Sequence, residues 1–264
     1  MCRFVLYMGE PITLANLVTE PANSLINQSF HSRQQEEPLN GDGFGVAWYA
    51  KGISEQPAVF RSVTPAWNNM NLLNLARVTI SDCVLAHVRA ATPGLPTTEQ
   101  NCHPFLHGPF AFMHNGDLNG FTTVRREIIA GLGAEAFELI RGNTDSEHLF
   151  ALFIDELGRT EWKRKKTHTG AMMARSLERA ISRALRICGD HGFSSVATFL
   201  NIAVSDGRCA VACRYTGSDE PLSLHVHHGG RYQCENGVCR MRSAGKHDGA
   251  VIISSEPLSD EDGW

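Results

Sequence analysis

The sequence lacks a long uninterrupted hydrophobic run and an excess of charge of either sign. Its 264 residues include 24 Lys and Arg against 28 Asp and Glu, and the formal net charge is -4. Without a basic excess there is no broad face for nucleic acid, so we expect no polyanion partner. The apolar run Phe4–Met8 ends at Gly9–Pro11 and is too short for a signal peptide or a membrane span. We therefore expect a soluble, cytoplasmic protein.

Cysteine is also sparse, with eight residues and no repeating framework of the kind that disulfide-stapled proteins show. Most of the eight are expected to be buried or idle thiols. Cys234 and Cys239 flank Asn236–Gly237, a two-residue hairpin turn that would place the two side chains opposite each other. They would form a disulfide if oxidised, but neighbouring reduced thiols are the expectation in a cytoplasm.

Metal-binding and phosphate-binding signatures are weak. His225, His227 and His228 lie near several cysteines, yet no spacing matches the Cys-x-x-Cys pair of a zinc knuckle, so we expect strand residues and no metal. The glycines of residues 41–45 precede a predicted strand rather than a helix, which argues against a phosphate loop. They fit positions where the backbone passes close to a site. No cofactor is expected.

What the chain does contain is ample apolar sequence for a packed core, with 42% hydrophobic residues. No repeat or composition break divides it, so residues 2–264 are interpreted as a single domain. Patterning predicts strands near residues 4–8, 46–49, 58–63, 83–89, 110–113, 198–205, 208–216, 222–228, 230–242 and 249–254. Helices are predicted over 69–78, after Thr144 and along 173–188, and a long loop over 20–42. Strands on both sides of central helices indicate a layered α+β domain.

Two local signals bear on the chemistry. Thr144 and Glu147 have the spacing of a capping box, which places Asp145 in the first turn of a helix, at the positive end of the helix dipole. The strand at 110–113 is predicted to stop at Asn115–Gly116, because Asn-Gly is a strong turn signal.

Cys2 is the first candidate for catalysis. Removal of Met1 would leave Cys2 with a free α-amine beside its own thiol, so that one residue supplies both nucleophile and base. The small side chain of Cys2 is compatible with that removal. A strand beginning at position 2 or 3 would hold such a nucleophile rigidly. From position alone, however, an ordinary second residue whose thiol packs in the core is the favoured interpretation of Cys2.

Five further positions are suited to acyl transfer from a substrate with a free α-carboxylate and α-amine, such as glutamine or another γ-glutamyl compound. The Asn115 amide and the Gly116 N–H are suited to stabilising an oxyanion, although Asn-Gly alone is more often a simple turn. Arg89, helped by Thr92, would bind a substrate α-carboxylate, and Asp145 would bind an α-ammonium. Taken singly, each charged residue is also consistent with a surface charge or a helix cap. The set as a whole supplies a nucleophile, an oxyanion pair and a clamp for a zwitterion.

The order of these motifs resembles that of class II glutamine amidotransferases, which are N-terminal-nucleophile (Ntn) enzymes. The segments that carry the resemblance are Met1–Arg3, Gly41–Tyr49, His87–Thr92, Asn101–Phe105, His114–Leu118, Asn143–Glu147 and Val251–Leu258. The resemblance implies a four-layer αββα sandwich, with two antiparallel sheets between helices. It also implies Cys2 as nucleophile, Asn115 and Gly116 as oxyanion hole, and Arg89, Thr92 and Asp145 as substrate ligands.

The leading hypothesis is a stand-alone amidohydrolase that cleaves a γ-glutamyl amide of a small molecule through a thioester on Cys2 and releases glutamate. We expect this because one amidotransferase domain fills the 264 residues and leaves none for an acceptor domain. One alternative is a glutaminase subunit that supplies ammonia to a separate synthase. Another is a catalytically silent member that acts as a binding subunit. The sequence leaves open whether the protein forms a homo-oligomer.

Overall fold

Antiparallel strands form the centre of the molecule in a computed structural model that describes residues 1–34, 39–91, 96–159, 169–235, 237–243 and 249–264. The larger sheet comprises Arg3–Thr13 (β1), Phe44–Trp48 (β2), Ala58–Ser62 (β3), Ile80–Val88 (β4), His225–Gly229 (β9) and Ala250–Ser254 (β12). Its order is β3-β2-β4-β1-β12-β9, and each pairing is antiparallel. The first strand is therefore central, because β1 lies between β4 and β12.

A second sheet and a separate hairpin account for the other described strands. Phe105–His107 (β5), Phe110–Asp117 (β6), Phe199–Ser205 (β7) and Ala210–Thr216 (β8) form an antiparallel sheet in that order. Arg231–Glu235 (β10) and Val238–Arg242 (β11) pair only with each other among the described strands.

The helices lie on both outer faces. They are Ala15–Val18 (α1), Leu25–Phe30 (α2), Met70–Val78 (α3), Phe121–Ala130 (α4), Ala134–Leu139 (α5), Asp145–Gly158 (α6) and Gly170–Asp190 (α7). Buried residues of α1, α2, α3 and the β10–β11 hairpin pack on the six-stranded sheet. Buried residues of α4, α6 and α7 pack on the four-stranded sheet.

Side-chain alternation along the strands produces the layers. Phe4 of β1 and Met113 of β6 belong to one cluster between the sheets. The neighbouring residues point the other way, because successive side chains of a strand face opposite sides. Val5 therefore packs toward α1–α3, and Phe112 packs toward α6, where its ring stacks on Phe150 with centroids 5.1 Å apart. The predicted αββα sandwich is confirmed.

Several predicted elements differ in extent from those of the structure. The predicted loop 20–42 contains α2, which begins after Ser24, whose hydroxyl accepts from the Asn27 N–H at 3.3 Å. Its polar residues Gln28 and Ser29 are buried, so the helix has no clear apolar face in the sequence and was predicted as a loop. The predicted strand segment 230–242 comprises the two strands β10 and β11, in line with the predicted hairpin. The strand predicted to stop at residue 113 continues to Asp117, because β7 pairs with it along its length.

The β10–β11 hairpin brings Cys234 and Cys239 opposite each other, as predicted. Their Cα atoms are 3.9 Å apart and their sulfurs are joined in a disulfide. The structure thus corrects the expectation of reduced thiols at this pair, since the turn places the two side chains within bonding distance. Cys239 is buried against the outer layer of helices, so the link lies partly within the fold.

The histidines considered for a metal site lie along β9. Within the described ranges, no three His, Cys, Asp or Glu side chains form a group that would hold a metal ion. His227 instead stacks on Trp264, with ring centroids 4.8 Å apart. No helix in the part of the chain that the structure describes is long and apolar enough to cross a membrane.

Candidate active site

Strand β1 places Cys2 beside the end of β4. The last paired residues are Arg3 and Val88, so Cys2 lies next to the residues that follow β4. Its Sγ is 3.4 Å from the Ala90 nitrogen, which donates to it, and 3.5 Å from the Ala90 oxygen. Burial raises the pKa of the Cys2 thiol, although the Ala90 N–H opposes this change. The thiol is therefore protonated at rest and needs a base before it can attack.

Arg89 is held at the end of β4 by the glycine-containing segment 41–45. Its backbone N–H donates to the Gly43 oxygen at 2.8 Å, and the Asp42 N–H donates to the Arg89 oxygen at 3.1 Å. The Asp42 carboxylate accepts from the Ala91 N–H at 2.8 Å. These hydrogen bonds from the segment 41–45 fix the backbone that carries the Arg89 side chain.

The glycines in this segment allow close approach, as predicted. Gly43 has φ +113, and a Cβ there would lie 2.7 Å from Cys102 Sγ. A Cβ on Gly45 would overlap the His103 carbonyl oxygen. A side chain at either position would push the 102–103 backbone away from β2 and β4.

Arg89 carries a buried positive charge that no carboxylate of the described residues matches. Its residue exposure is 3%. Its guanidinium lies 3.5 Å from the Asp42 carbonyl oxygen, and no carboxylate of a described residue pairs with it. Burying an unpaired charge is costly, so this position favours binding of an anionic group from outside the protein.

Asn115 and Gly116 lie within β6 rather than in a turn. Asn115 pairs with Asn201 across the sheet, and Gly116 pairs with Leu200. Asn115 is buried, and its Oδ1 has no hydrogen-bond partner among the described residues. A Cβ on Gly116 would overlap the Phe199 carbonyl oxygen. Glycine is thus required there by the neighbouring strand.

Asp145 occupies the first turn of α6, as predicted. Its carboxylate accepts from the Leu118 N–H at 2.9 Å and from the Ser146 N–H at 2.7 Å. These bonds tie the start of α6 to the residue just beyond β6. No basic side chain of the described residues pairs with Asp145, so one half-buried carboxylate is left to meet a cation.

The predicted capping box forms only in part. The Thr144 hydroxyl accepts from the Glu147 N–H at 3.3 Å, which is the expected N-cap bond. The Glu147 carboxylate does not return to Thr144; it accepts from the Arg141 and Gly142 N–H groups at 2.9 and 2.7 Å. Glu147 therefore orders the loop before α6 as well as the helix.

Buried histidines join the strands that carry these groups. His87 Nε2 of β4 is 3.1 Å from the His114 carbonyl oxygen, one residue before Asn115. The His87 ring stacks on His103, with centroids 4.1 Å apart. His114 Nδ1 in turn is 2.9 Å from the Ser146 hydroxyl, which donates to Asp145 at 3.2 Å. The ends of β4, β6 and α6 are thus linked through one network.

The sequence-predicted residues fall into two groups. Cys2 and Arg89 lie together at the end of β4, while Asn115, Gly116 and Asp145 lie where β6 meets α6. The histidine network connects these two regions. Thr92 lies outside the described residues.

Sequence reasoning missed Asp117 and gave no role to the histidines. Asp117 is two residues beyond Asn115, so both side chains lie on the same face of β6. Burial and the nearby Asp145 carboxylate raise the pKa of Asp117. The two-residue strand period would have found it had the strand been extended past Met113.

Comparison with known proteins identifies the family. The family model of class-II glutamine amidotransferases matches residues 13–264. The chain belongs to this family. The match begins after Cys2, so the role of that residue depends on the geometry described above.

Several relatives are similar over much of the chain. The probable glutamine amidotransferase DUG3 of Saccharomyces cerevisiae is 40% identical, over 100% of this chain and 78% of its own length. The γ-glutamyl-hercynylcysteine sulfoxide hydrolase of Mycobacterium tuberculosis is 32% identical, over 61% of this chain and 65% of that protein. Family membership makes the chain an amidohydrolase-type enzyme.

Solved structures share the fold. A glutamine aminotransferase class-II domain protein from Silicibacter pomeroyi has a TM-score of 0.63 and 26% identity, over 96% of this chain and 88% of that one. The glutamine PRPP amidotransferase of Bacillus subtilis has a TM-score of 0.52 at 14% identity and supports the fold alone, over 97% of this chain and 42% of that one.

Proposed function

We propose that this enzyme hydrolyses the γ-glutamyl amide bond of a small molecule through a thioester on Cys2 and releases glutamate. Its relatives include proteins named as a γ-glutamyl-hercynylcysteine sulfoxide hydrolase and a probable glutamine amidotransferase. A γ-glutamyl group presents one α-carboxylate and one α-ammonium in every such substrate. The site of such an enzyme therefore needs one group that binds the α-carboxylate and one that binds the α-ammonium.

The observation that carries the proposal is the pair of unmatched charges. Arg89 is a buried cation, and Asp145 is a half-buried anion; neither is paired with an opposite charge among the described side chains. A free γ-glutamyl head group satisfies both, since Arg binds a carboxylate by two hydrogen bonds and Asp accepts from an ammonium. Thr92 is proposed as a further carboxylate ligand.

The proposed reaction follows from the neighbouring groups once Met1 is removed. The Cys2 α-amine takes the thiol proton, and Sγ attacks the amide carbonyl carbon. The Asn115 amide and the Gly116 N–H stabilise the oxyanion. Collapse breaks the C–N bond, and the amine of the leaving group takes the proton from the α-ammonium. Water then attacks the thioester, the α-amine accepts its proton, and glutamate leaves as the Cys2 thiol re-forms.

The test is glutamate release from glutamine, glutathione and other γ-glutamyl amides by the purified protein alone. We expect release by the wild type and none by Cys2→Ala, since no other residue supplies the nucleophile. Cys209→Ala is the matched control, because Cys209 is a half-buried thiol that contacts Met173 away from the site. Its activity should be that of the wild type.

Intact-mass measurement completes this test. The wild type should lack Met1 and gain one adduct with an electrophilic glutamine analogue, whereas Cys2→Ala should gain none. Full activity of Cys2→Ala would overturn the mechanism. Release that occurs only after a synthase is added would favour the ammonia-supplying alternative, and uniform retention of Met1 in protein from its native cell would favour a binding subunit.

We also propose that residues 2–264 form one domain and that the protein acts in the cytoplasm. The continuous packing of β1 against β12 supports the first point, because the two ends of the chain share one sheet. Limited proteolysis that yields no stable fragment smaller than the chain would agree with it.

A further inference from the structure

Arg3 and Glu256 form a fully buried ion pair directly beside the candidate nucleophile. Arg3 Nε is 3.0 Å from Glu256 Oε1, and both side chains have 0% exposure. Arg3 is the first residue of β1, and Glu256 lies two residues beyond β12. The pair therefore joins the two ends of the chain at the site of Cys2.

The rest of the Arg3 guanidinium contacts the backbone of the nucleophile. Nη1 donates to the Cys2 oxygen at 2.8 Å and to the Met1 oxygen at 3.1 Å. Nη2 donates to the Ser32 hydroxyl at 2.5 Å. Removal of Met1 deletes one of these acceptors but leaves the bond to the Cys2 carbonyl. The Arg3 guanidinium therefore still donates to Cys2 after Met1 has been removed.

Glu256 connects this arrangement to the segment 32–34. Its Oε1 accepts from the Ser32 hydroxyl at 2.5 Å and from the Gln34 N–H at 3.3 Å, and its Oε2 accepts from the Arg33 N–H at 2.9 Å. These donors and the guanidinium lower the pKa of the Glu256 carboxyl against the opposing effect of burial. The carboxylate is ionised and has a full set of partners.

Strand pairing already holds β1 in place without this ion pair. Phe4 exchanges hydrogen bonds with Ser255, whose N–H and hydroxyl each lie 3.0 Å from the Phe4 backbone. The ladder between β1 and β4 ends at Arg3. Two apolar side chains would pack between these strands at least as well, because desolvating a buried ion pair offsets most of its attraction. What an apolar pair would not supply is a donor to the Cys2 carbonyl.

We infer that the Arg3–Glu256 pair positions the Cys2 nucleophile and couples its orientation to the segment 32–34. This inference rests on the proposed role of Cys2. Arg3 fixes the carbonyl side of Cys2 while Ala90 fixes its sulfur, so the two contacts together set the direction in which the thiol and the α-amine point. Glu256 holds the guanidinium in the orientation that this requires.

The test compares Glu256→Gln with the wild type. The amide keeps the shape of the side chain but weakens its hold on the guanidinium. We expect two rates to fall roughly 10- to 100-fold: kcat for γ-glutamyl hydrolysis, and the labelling of Cys2 by a saturating electrophilic glutamine analogue. A small misplacement of a reacting group lowers a rate by about this much. KM should change less than about twofold by the same reasoning, because Arg89 and Asp145 are untouched.

Asp155→Asn is the matched control. Asp155 also pairs with arginine, at 2.6 Å from Arg183, but it lies on α6 away from Cys2. Its substitution should leave both the labelling rate and kcat unchanged. Intact mass of each variant verifies that Met1 has been removed, so that a slow rate reflects position rather than processing.

Folded Glu256→Gln that is labelled at the wild-type rate would overturn the inference. If that variant does not fold, Ser32→Ala decides, because it removes only the hydroxyl between Arg3 and Glu256 and keeps both charges. Labelling several-fold slower than wild type supports the inference, and an unchanged rate overturns it. A wild type that is neither labelled nor active would instead refute the proposed function.

Discussion

His87 shows how one buried side chain makes stability depend on pH. Burial, with the positive charge of Arg89 as a smaller contribution, lowers the pKa of His87 from 6.5 to about 3. Below about pH 6.5 the His87 ring binds a proton in the unfolded chain but stays neutral in the folded protein. Stability contributed by the neutral ring is therefore complete above pH 6.5 and is lost as the pH falls toward 3.

His87→Gln should reduce the loss of folding stability at low pH. Glutamine retains an N–H donor for the His114 carbonyl but does not titrate in this range. Between pH 7 and pH 5 we expect the wild type to lose about 2 kcal/mol more of its free energy of unfolding than the variant does. Urea unfolding at the two pH values measures this difference.

An exposed histidine provides the comparison for that experiment. His31 lies on the surface after α2, and His31→Gln should leave the difference between pH 7 and pH 5 as it is in the wild type. Equal pH dependence in His87→Gln and the wild type would show that the buried ring is not kept neutral.

At the scale of elements, the N-terminus of α6 joins the helix cap to Asp145, the proposed ligand of the substrate ammonium. The Thr144 hydroxyl caps the helix, and Asp145 follows it directly. Thr144→Ala should lower the free energy of unfolding by about 1 kcal/mol, the usual cost of a lost cap. It should also raise KM for a γ-glutamyl substrate several-fold, because the turn that carries Asp145 frays.

The cap of α7 offers a matched substitution. Thr169 accepts from the Met172 N–H at 3.3 Å, so the bond is the same as at α6 but remote from the site. Thr169→Ala should cost a similar amount of stability and leave KM unchanged. If both variants alter KM alike, the effect comes from general loss of stability rather than from Asp145.

Elements with strong local patterns could be predicted from the sequence, whereas those set by distant partners could not. The four-residue apolar period found α7, and the cap spacing found the start of α6. Asn115–Gly116 was taken for a turn because its local signal is strong, but pairing with β7 keeps it in a strand. The helix α2 was missed because its buried side chains include polar ones.

The same distinction holds for the site. The cap spacing predicted Asp145 in a first turn, and the strand pattern predicted Arg89 at a strand end, since both depend on local sequence. The ion pair of Arg3 with Glu256 joins residues 253 positions apart, so no local pattern indicates it. Family resemblance pointed to the segments that contain both residues but not to their contact.

At the scale of the whole molecule, the last strand completes the sheet that holds the first. Among the described strands, β12 is the neighbour of β1 on one side and of β9 on the other. Its Ile252 is fully buried, and it lies opposite Tyr7. A chain that ends at residue 248 would leave an open edge on β1 and no partner for β9.

We expect the 1–248 form to be insoluble, because an exposed apolar edge strand favours aggregation. A chain that ends at Ser259 tests whether this loss is specific to β12. It keeps β12, Glu256 and the buried Leu258. It loses the surface contact of Asp260 with Arg33, the contacts of Glu261 with the Met241 N–H and with His227, and the packing of Trp264 on His227. That form should be soluble and retain glutamate release. Soluble, active 1–248 protein would show that β1 needs no partner on this side, and the central position of β12 would then contribute nothing to holding Cys2.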